Sequence, residues 1–355
     1  MRLLVTGGAG YIGSQVVLDL LQAGHDVVVV DDFSTGHREA LARVQALAGR
    51  TCTVFGGDVV DRDLLFGALR GVDAVFHLAA FKMVGDSMDR PERYFRNNVG
   101  GMAALLHTMQ EAGVHRIVYS SSAAVYGAQR QMPIQEDAPL RPESPYGLSK
   151  AQGEQMLEWM VQRRKWSAVS LRYFNPVGAH PSGSIGQPFE SAASLVPRVL
   201  MALTDANARL AIFGTDYDTP DGTCLRDYIH VCDLSRAHLV ALRALDEPAH
   251  HIFNVGTGRP HSVREVLAAC ARATGRDVPF DEGPRRAGDI ASAVADPGRF
   301  QRTMGFESHL GLDEMVSSAW RWWTLNPRGY EDRERLPELA LPELADPSRS
   351  LAPAF

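Results

Sequence analysis

The first half of the chain alternates short apolar runs with longer amphipathic stretches. Apolar runs at 3–6, 26–30, 52–55, 74–77, 116–120 and 168–172 predict strands, and the patterning at 12–23, 91–111 and 147–164 predicts helices between them. Buried-type strands separated by helices imply right-handed βαβ units and a parallel sheet. The expected fold is α/β, a doubly wound parallel sheet of Rossmann type.

After Asn175 the texture changes. A Pro- and Gly-rich loop, N-P-V-G-A-H-P-S-G-S-I-G, opens a less regular region with helices expected near 192–203, 234–245, 263–274 and 312–325 and short strands at 210–213 and 252–255. This suggests a dinucleotide-binding domain over 1–175 and a smaller α+β substrate domain over 176–330, with segments able to return to the first. Residues 331–355 hold L-P-E-L-A twice in succession. Proline at that spacing blocks a regular helix or central strand, so a flexible tail is expected.

Composition narrows the possibilities. Of 355 residues, 45% are hydrophobic and 22% charged, and the formal net charge is −6, so no basic excess points to nucleic acid or an acidic membrane surface. The four cysteines, at 52, 224, 232 and 270, form no C-x-x-C, and the twelve histidines show no metal-ligand spacing, so no metal is expected. The apolar start runs only four residues before glycine, and no 18-residue apolar run occurs. A cytoplasmic enzyme or binding protein is the expectation.

The candidate chemistry begins at L-L-V-T-G-G-A-G-Y-I-G. Gly8, Gly10 and Gly13 form G-x-G-x-x-G directly after a strand and at the start of a helix, where backbone approaches a pyrophosphate and the helix N-terminus offers free N–H groups. The second strand ends in Asp31-Asp32, where a carboxylate can accept ribose hydroxyls; Asp31 would repel a 2′-phosphate, favouring NAD over NADP. Asp58, ending the third strand, suits either the adenine amino group or a turn. In S-P-Y-G-L-S-K, Tyr146 and Lys150 stand one helical turn apart, about 6 Å along the axis. A nearby ammonium favours phenolate over a phenol that ordinarily ionises near pH 10, which would make a base; two exposed helix residues are the plainer reading.

T-G-G-x-G-x-x-G at 6–13, the serines of Y-S-S-S-A-A-V-Y-G and Y-x-x-x-K at 146–150 together resemble the extended short-chain dehydrogenase/reductase family. L-R-Y-F-N-P-V-G-A-H-P-S-G, R-D-Y-I-H-V and P-R-R-A-G-D narrow the resemblance, from about residue 1 to 330, to its nucleotide-sugar 4-epimerases, which interconvert UDP-glucose and UDP-galactose through a 4-keto sugar on bound NAD. The resemblance implies Tyr146 as acid/base, Lys150 as the group that binds the nicotinamide ribose and lowers the tyrosine pKa, and Ser122 as partner of the sugar 4-oxygen. It implies that Gly7, Gly10, Tyr11, Ile12, Gly13, Asp31, Asp32, Asp58, Val59, Leu78, Ala79, Ala80, Phe81, Lys82, Asn97 and Phe174 line NAD. Lys82, Asn175, Ser194, Leu195, Ala211, Ile212, Phe213, Arg226, Arg286, Asp289 and Ala293 would face the UDP-sugar, the two arginines suiting its diphosphate. A homodimer through the helices near 91–111 and 147–164 is also implied.

The sequence departs from that pattern twice. Ser194 replaces an asparagine near the diphosphate, offering one donor rather than two. Ala293 stands where some relatives carry a tyrosine that closes the pocket at the sugar C2 substituent. The space suggests that UDP-N-acetylglucosamine and UDP-N-acetylgalactosamine also fit, unless a neighbouring side chain fills it. Among rivals, a 4,6-dehydratase would follow its catalytic Ser or Thr with Asp-Glu, whereas Ser122 is followed by Ala123 and Ala124. Two more rivals stay open: an epimerase of a uronic acid or pentose nucleotide, and a non-catalytic NAD sensor on this fold.

Overall fold

The computed structural model describes residues 1–188, 194–204, 209–286 and 289–331. The L-P-E-L-A repeats and, apart from Glu331, the tail expected over 331–355 lie outside the described residues. The strands are β1 (Arg2–Thr6), β2 (Asp26–Asp31), β3 (Thr53–Gly56), β4 (Ala74–His77), β5 (Arg116–Ser122), β6 (Ser167–Tyr173), β7 (Asn175–Val177), β8 (Leu210–Phe213), β9 (Leu225–His230), β10 (His250–Val255), β11 (Pro260–Ser262), β12 (Phe280–Gly283) and β13 (Ser292–Ala293).

Seven of these form one all-parallel sheet in the order β10-β6-β5-β4-β1-β2-β3. The doubly wound expectation holds. Val27–Val30 in β2, Leu3–Val5 in β1 and Val75 and Phe76 in β4 are wholly buried, because helices cover both faces of the sheet. Strand order reverses between β1 and β4, and in sheets of this kind the ligand crevice lies outside the carboxyl ends of the strands at that point.

The sheet's last strand comes from far down the chain. β10 pairs with β6 over six residues, His250 beside Ala168 through Val255 beside Tyr173, and the helix Val231–Leu242 packs on the first helix, Tyr11–Gln22. The rest of the second half forms two small sheets: β9 is joined by β7, β11 and β13, and β8 pairs with β12. Its core is closed by the helix Leu312–Leu325, the last among the described residues, whose buried Trp322 donates from Nε1 to the Gln187 carbonyl at 2.8 Å.

One expected helix is broken. The stretch 91–111 is a turn of helix at Pro91–Tyr94, a wider π-helical segment at Phe95–Gly100, and a regular helix from Gly101 to Ala112. Such bulges collect at functional positions, and here Asn98 leaves the helical surface to bind a loop at Phe81. The helix expected near 192–203 is Leu195–Thr204 among the described residues, and that near 234–245 ends as a 3₁₀ turn at Arg243–Leu245.

His77, His230 and His238 are buried and held neutral. Burial pushes His77 down to about 3, with Lys150 adding to the effect, and His230 and His238 down to about 4. In the unfolded chain each would ionise near 6.5. Between those values the unfolded state binds more protons, so stability is full above about pH 6.5 and falls as pH drops toward 4. Urea unfolding at about pH 5 should therefore give a midpoint below that at about pH 7.5, by a loss on the order of a few kcal/mol; equal midpoints would place these histidines elsewhere than in the core.

Candidate active site

The loop after β1 is built around absent side chains. Gly7 donates its N–H to the Val30 carbonyl at 2.8 Å, and a Cβ on Gly13 would stand 2.0 Å from the Gly7 carbonyl oxygen. Only glycine at 13 lets the helix start so close to the turn. The helix Tyr11–Gln22 opens at Gly10 with no side-chain cap and no acidic residue in its first turn, which leaves its N-terminus able to receive an anion. Ile12 packs partly into the core, and the Tyr11 hydroxyl donates to the Gly178 carbonyl at 2.6 Å, tying this loop to the segment after β7.

The two aspartates at the end of β2 differ. Asp31 is buried; one carboxylate oxygen accepts from the Ala9 N–H at 2.8 Å and the other from Phe33 N–H at 2.9 Å. Burial pushes its pKa up, opposed by those two bonds. Each oxygen keeps a second lone pair for a ligand. Asp32 closes a turn at the surface by accepting from the N–H and hydroxyl of Ser34. Asp58 accepts from Val60 N–H at 3.1 Å, the turn role, while Val59 beside it is buried.

The loop after β4 carries Leu78, Ala79, Ala80 and Phe81, all half-buried, and then Lys82, whose ammonium lies 5.9 Å from the centre of the Tyr11 ring. Asn98 fixes this loop: its side chain accepts from Phe81 N–H at 2.9 Å and donates to the Phe81 carbonyl and to Ser149 Oγ, each at 3.0 Å. Asn97 donates to the Asn98 side-chain oxygen at 3.0 Å. The sequence motifs single out Asn97 and pass over Asn98; the adjacent pair N-N offers no local signal to separate their roles.

Ser122, Tyr146 and Lys150 come together at the carboxyl end of β5. The helix Pro145–Arg164 starts at a Ser144 cap whose hydroxyl accepts from Gly147 N–H at 3.1 Å, with proline pre-set in the first turn. A Cβ on Gly147 would lie 2.5 Å from the Ala124 carbonyl oxygen, so that glycine permits the close approach to the end of β5. Lys150, buried one turn on, donates to the Ser120 carbonyl at 2.7 Å and lies 5.1 Å and 6.0 Å from the ring centres of Tyr119 and Tyr146. Ser122 Oγ accepts from Ala124 N–H at 3.2 Å and stands near enough to the Tyr146 phenol to favour its ionised form.

The electrostatics correct one expectation. In place of a Tyr146 pKa lowered by Lys150, burial raises it, and what opposes the rise is Ser122. Burial also pushes Lys150 down to about 7, with Glu154 pulling the other way. Desolvation acts on both charged forms at once, and spacing along a helix says nothing about it.

In register, Ser122 sits beside Tyr173, and the chain runs from there through buried Phe174 into Asn175 at the head of β7. The second set of residues starts here. Asn175 donates to the Asp227 carbonyl at 2.6 Å. Arg226 in β9 donates to the Leu225 and Ile290 carbonyls, both at 2.9 Å, and faces Asp289 at 3.8 Å; Asp289 donates its N–H to the Arg286 carbonyl at 3.1 Å, so this residue links both arginines. The Arg286 guanidinium lies 4.1 Å from the centre of the Phe213 ring. Ala293 pairs with Arg226 across β13 and β9 and is half-buried. In β8 the alternation turns exposed Ala211 and half-buried Phe213 to one face and buries Ile212 in the second core, so Ile212 offers a site only its backbone. Ser194 and Leu195 are half-buried at the start of the helix Leu195–Thr204.

Comparison with known proteins places these residues in context. The model of the NAD dependent epimerase/dehydratase family matches residues 3–256. A UDP-glucose 4-epimerase of Bacillus subtilis is 42% identical over 339 residues, covering 94% of this chain and all of the relative. The crystal structure of a UDP-glucose-4-epimerase from Stenotrophomonas maltophila, with bound NAD and formylated UDP-arabinopyranose, superposes with a TM-score of 0.90 at 40% identity over 92% of this chain and 99% of that one. A UDP-Glc/GlcNAc 4-epimerase from Campylobacter jejuni gives 0.81 at 35% identity, covering 91% and 99%.

The glycine loop yields a direct test. Ala at Gly13 must displace the Gly7 carbonyl, at a cost of about 2–3 kcal/mol in urea unfolding. Ala at Gly10, whose Cβ would meet nothing nearer than 3.4 Å, should cost under about 1 kcal/mol. Equal losses at both positions would mean that the loop does not take this shape.

Proposed function

The chain belongs to the NAD dependent epimerase/dehydratase family, and from that premise we propose that it is a UDP-glucose 4-epimerase, an isomerase that inverts C4 of a UDP-hexose on bound NAD. The observation that carries this reading is the convergence of Ser122, Tyr146 and Lys150 at the carboxyl end of the sheet, next to the segment that leads through Asn175 to the paired arginines.

The residues present fit the cofactor. The glycine cradle at 7–13 and the uncapped helix behind it suit a pyrophosphate, and the buried Asp31 carboxylate suits ribose hydroxyls and disfavours a 2′-phosphate. The loop Leu78–Lys82, Asn97 and Phe174 would line the remainder, and Lys150 would hold the nicotinamide ribose. NAD, when bound, supplies a reversible hydride acceptor for C4.

As a phenolate, which Lys150 and the positive nicotinamide ring of bound NAD would favour against the effect of burial, Tyr146 takes the proton of the 4-hydroxyl while Ser122 hydrogen-bonds the same oxygen. Loss of that proton, together with the C4 hydride that a bound NAD would accept, makes the hydroxyl oxygen a carbonyl oxygen held by the same two residues. Arg226 and Arg286, joined through Asp289, grip the diphosphate while the sugar turns its other face, and Tyr146 returns the proton to the 4-oxygen. Nothing is oxidised overall, so turnover needs no added cofactor. Ser122 is followed by Ala123 and Ala124, whose methyl groups bring no acid or base to C5 and C6; elimination of water is disfavoured accordingly.

A wider substrate range is our second reading. Ala293 sits against Arg226 with only a methyl group, leaving room at the sugar C2 substituent for an N-acetyl group. Similarity to a UDP-Glc/GlcNAc 4-epimerase supports it. We also read the protein as a cytoplasmic homodimer. Its cysteines are all free, as expected of a reducing compartment, and among the described residues no helix is long and apolar enough to cross a membrane. Leu148 and Trp159 on the helix Pro145–Arg164, with Phe95 on the neighbouring segment, are exposed apolar groups of the kind a partner covers.

Purified protein given UDP-galactose without added NAD should form UDP-glucose, followed by proton NMR. Tyr146→Phe should lower that rate by at least about a thousandfold and leave the fold and bound NAD unchanged; a fully active Y146F rejects the mechanism. Ala293→Tyr should abolish conversion of UDP-N-acetylgalactosamine and spare UDP-galactose, and equal loss with both sugars rejects the open pocket. Trp159→Glu should halve the particle mass in sedimentation if the helix face is the dimer contact.

A further inference from the structure

The mechanism leaves unused a buried acid beside Lys150. Glu154 lies one helical turn beyond Lys150, and both side chains face β5 from the helix Pro145–Arg164, each only 3% exposed. Consecutive strand residues receive them: Lys150 donates to the Ser120 carbonyl at 2.7 Å, and the Ser121 hydroxyl donates to Glu154 Oε1 at 2.5 Å. Behind the carboxylate, Arg172 of β6 closes a two-point pair, Nε to Oε1 at 2.9 Å and Nη2 to Oε2 at 2.6 Å. Arg172 is itself anchored on the Tyr126 hydroxyl at 2.9 Å and the Glu136 carbonyl at 2.8 Å. An ion pair this deep costs desolvation that a pair of apolar side chains would avoid, so its presence beside Lys150 asks for a reason.

We propose that Glu154 is a positioning residue for Lys150, supplying the fixed negative charge that keeps the buried ammonium protonated and the turn of helix that seats it on Ser120. The other titratable and charged groups around Lys150 cannot do this. From β4 His77 is neutral, its Nδ1 engaged with Thr6 Oγ1 at 2.7 Å; from β5 Tyr119 offers a ring face; from the same helix Tyr146 is a phenol held protonated by burial. Arg172, from β6, is cationic and works against the ammonium, so Glu154 must be present to separate the two positive charges. The inference rests on reading Lys150 as the ammonium that serves the cofactor.

The chain allows a clean measurement, because Lys82, Lys150 and Lys165 are its three lysines. Protein labelled with 13C-lysine gives three side-chain signals, assigned by single Lys→Arg replacements, and the Cε shift reports protonation of each. In the unaltered protein Lys150 should titrate near the depressed value of about 7. In Glu154→Gln its midpoint should fall by about one pH unit or more, a tenfold change or greater in its acid constant, with Lys82 and Lys165 unmoved. The alkaline limb of the kcat–pH profile should move down by the same interval.

Glu154→Gln leaves Arg172 unpaired, so E154Q/R172M, which removes both charges, is the companion variant that keeps its fold; its Lys150 midpoint should also fall. An unchanged Lys150 midpoint in either folded variant overturns the proposal. The titration needs no turnover: a chain that epimerises no sugar yet shows the shift rejects the proposed function and keeps this inference, and an active epimerase without the shift does the reverse.

Discussion

The cleft depends on how closely one helix approaches one strand. A helix normally stands off from a sheet by the thickness of its side chains, yet here the first turn of Pro145–Arg164 comes down onto the end of β5, since Gly147 presents no Cβ to the Ala124 carbonyl. That contact brings the Tyr146 phenol to Ser122 and sinks Lys150 against Ser120. It also removes water from both. The same packing that assembles the residues therefore raises the phenol and depresses the ammonium, and a charge on either must be held by fixed neighbours or bound ligands rather than by solvent.

Local geometry is legible in the sequence; long-range pairing is not. The glycine loop, the helix behind it and the acid ending β2 can be read directly, because strand, turn and helix there follow one another within about thirty residues and each has its own signal. Spacing alone finds the tyrosine and lysine, but the sign of the tyrosine shift comes out opposite to expectation, as burial is a property of the whole fold. Asn98 and Glu154 escape notice for a related reason. Their partners, Phe81 for the first and Ser121 and Arg172 for the second, stand well away along the chain, and an Asn in N-N or a Glu on a helix looks like any surface residue until those partners are in place. The π-helical segment at Phe95–Gly100 is equally hidden, since the apolar pattern on either side continues as though the helix were regular.

In the second half, the helices emerge from their amphipathic pattern, whereas β9 and its short neighbours β7, β11 and β13 do not. The three neighbours have two or three residues each, too few positions for a period to show, and the six residues of β9, L-R-D-Y-I-H, mix charged and apolar positions without a clear alternation. Yet this small sheet carries residues of the candidate site: β9 holds Arg226, β13 holds Ala293, and the buried Asp227 carboxylate gathers Thr257, Gly258 and Ala295 around them through their backbone N–H groups at 2.8, 2.9 and 3.1 Å. A carboxylate that receives three backbone donors fixes the chain segments that supply them relative to one another, which is how a region with little regular structure keeps a defined shape.

The late arrival of β10 has a consequence for synthesis. β6 ends at Tyr173, and the strand that covers its outer edge ends at Val255, about 80 residues later. At the usual 5–20 residues per second a ribosome takes roughly 4–16 s to make that stretch. Through that interval the nascent first half holds β6, a strand buried along its whole length in the finished protein, as a bare parallel edge open to pairing with another strand. Completion of the sheet thus waits on the second half of the chain, and the growing polypeptide passes through a stage in which chaperones have an edge to guard.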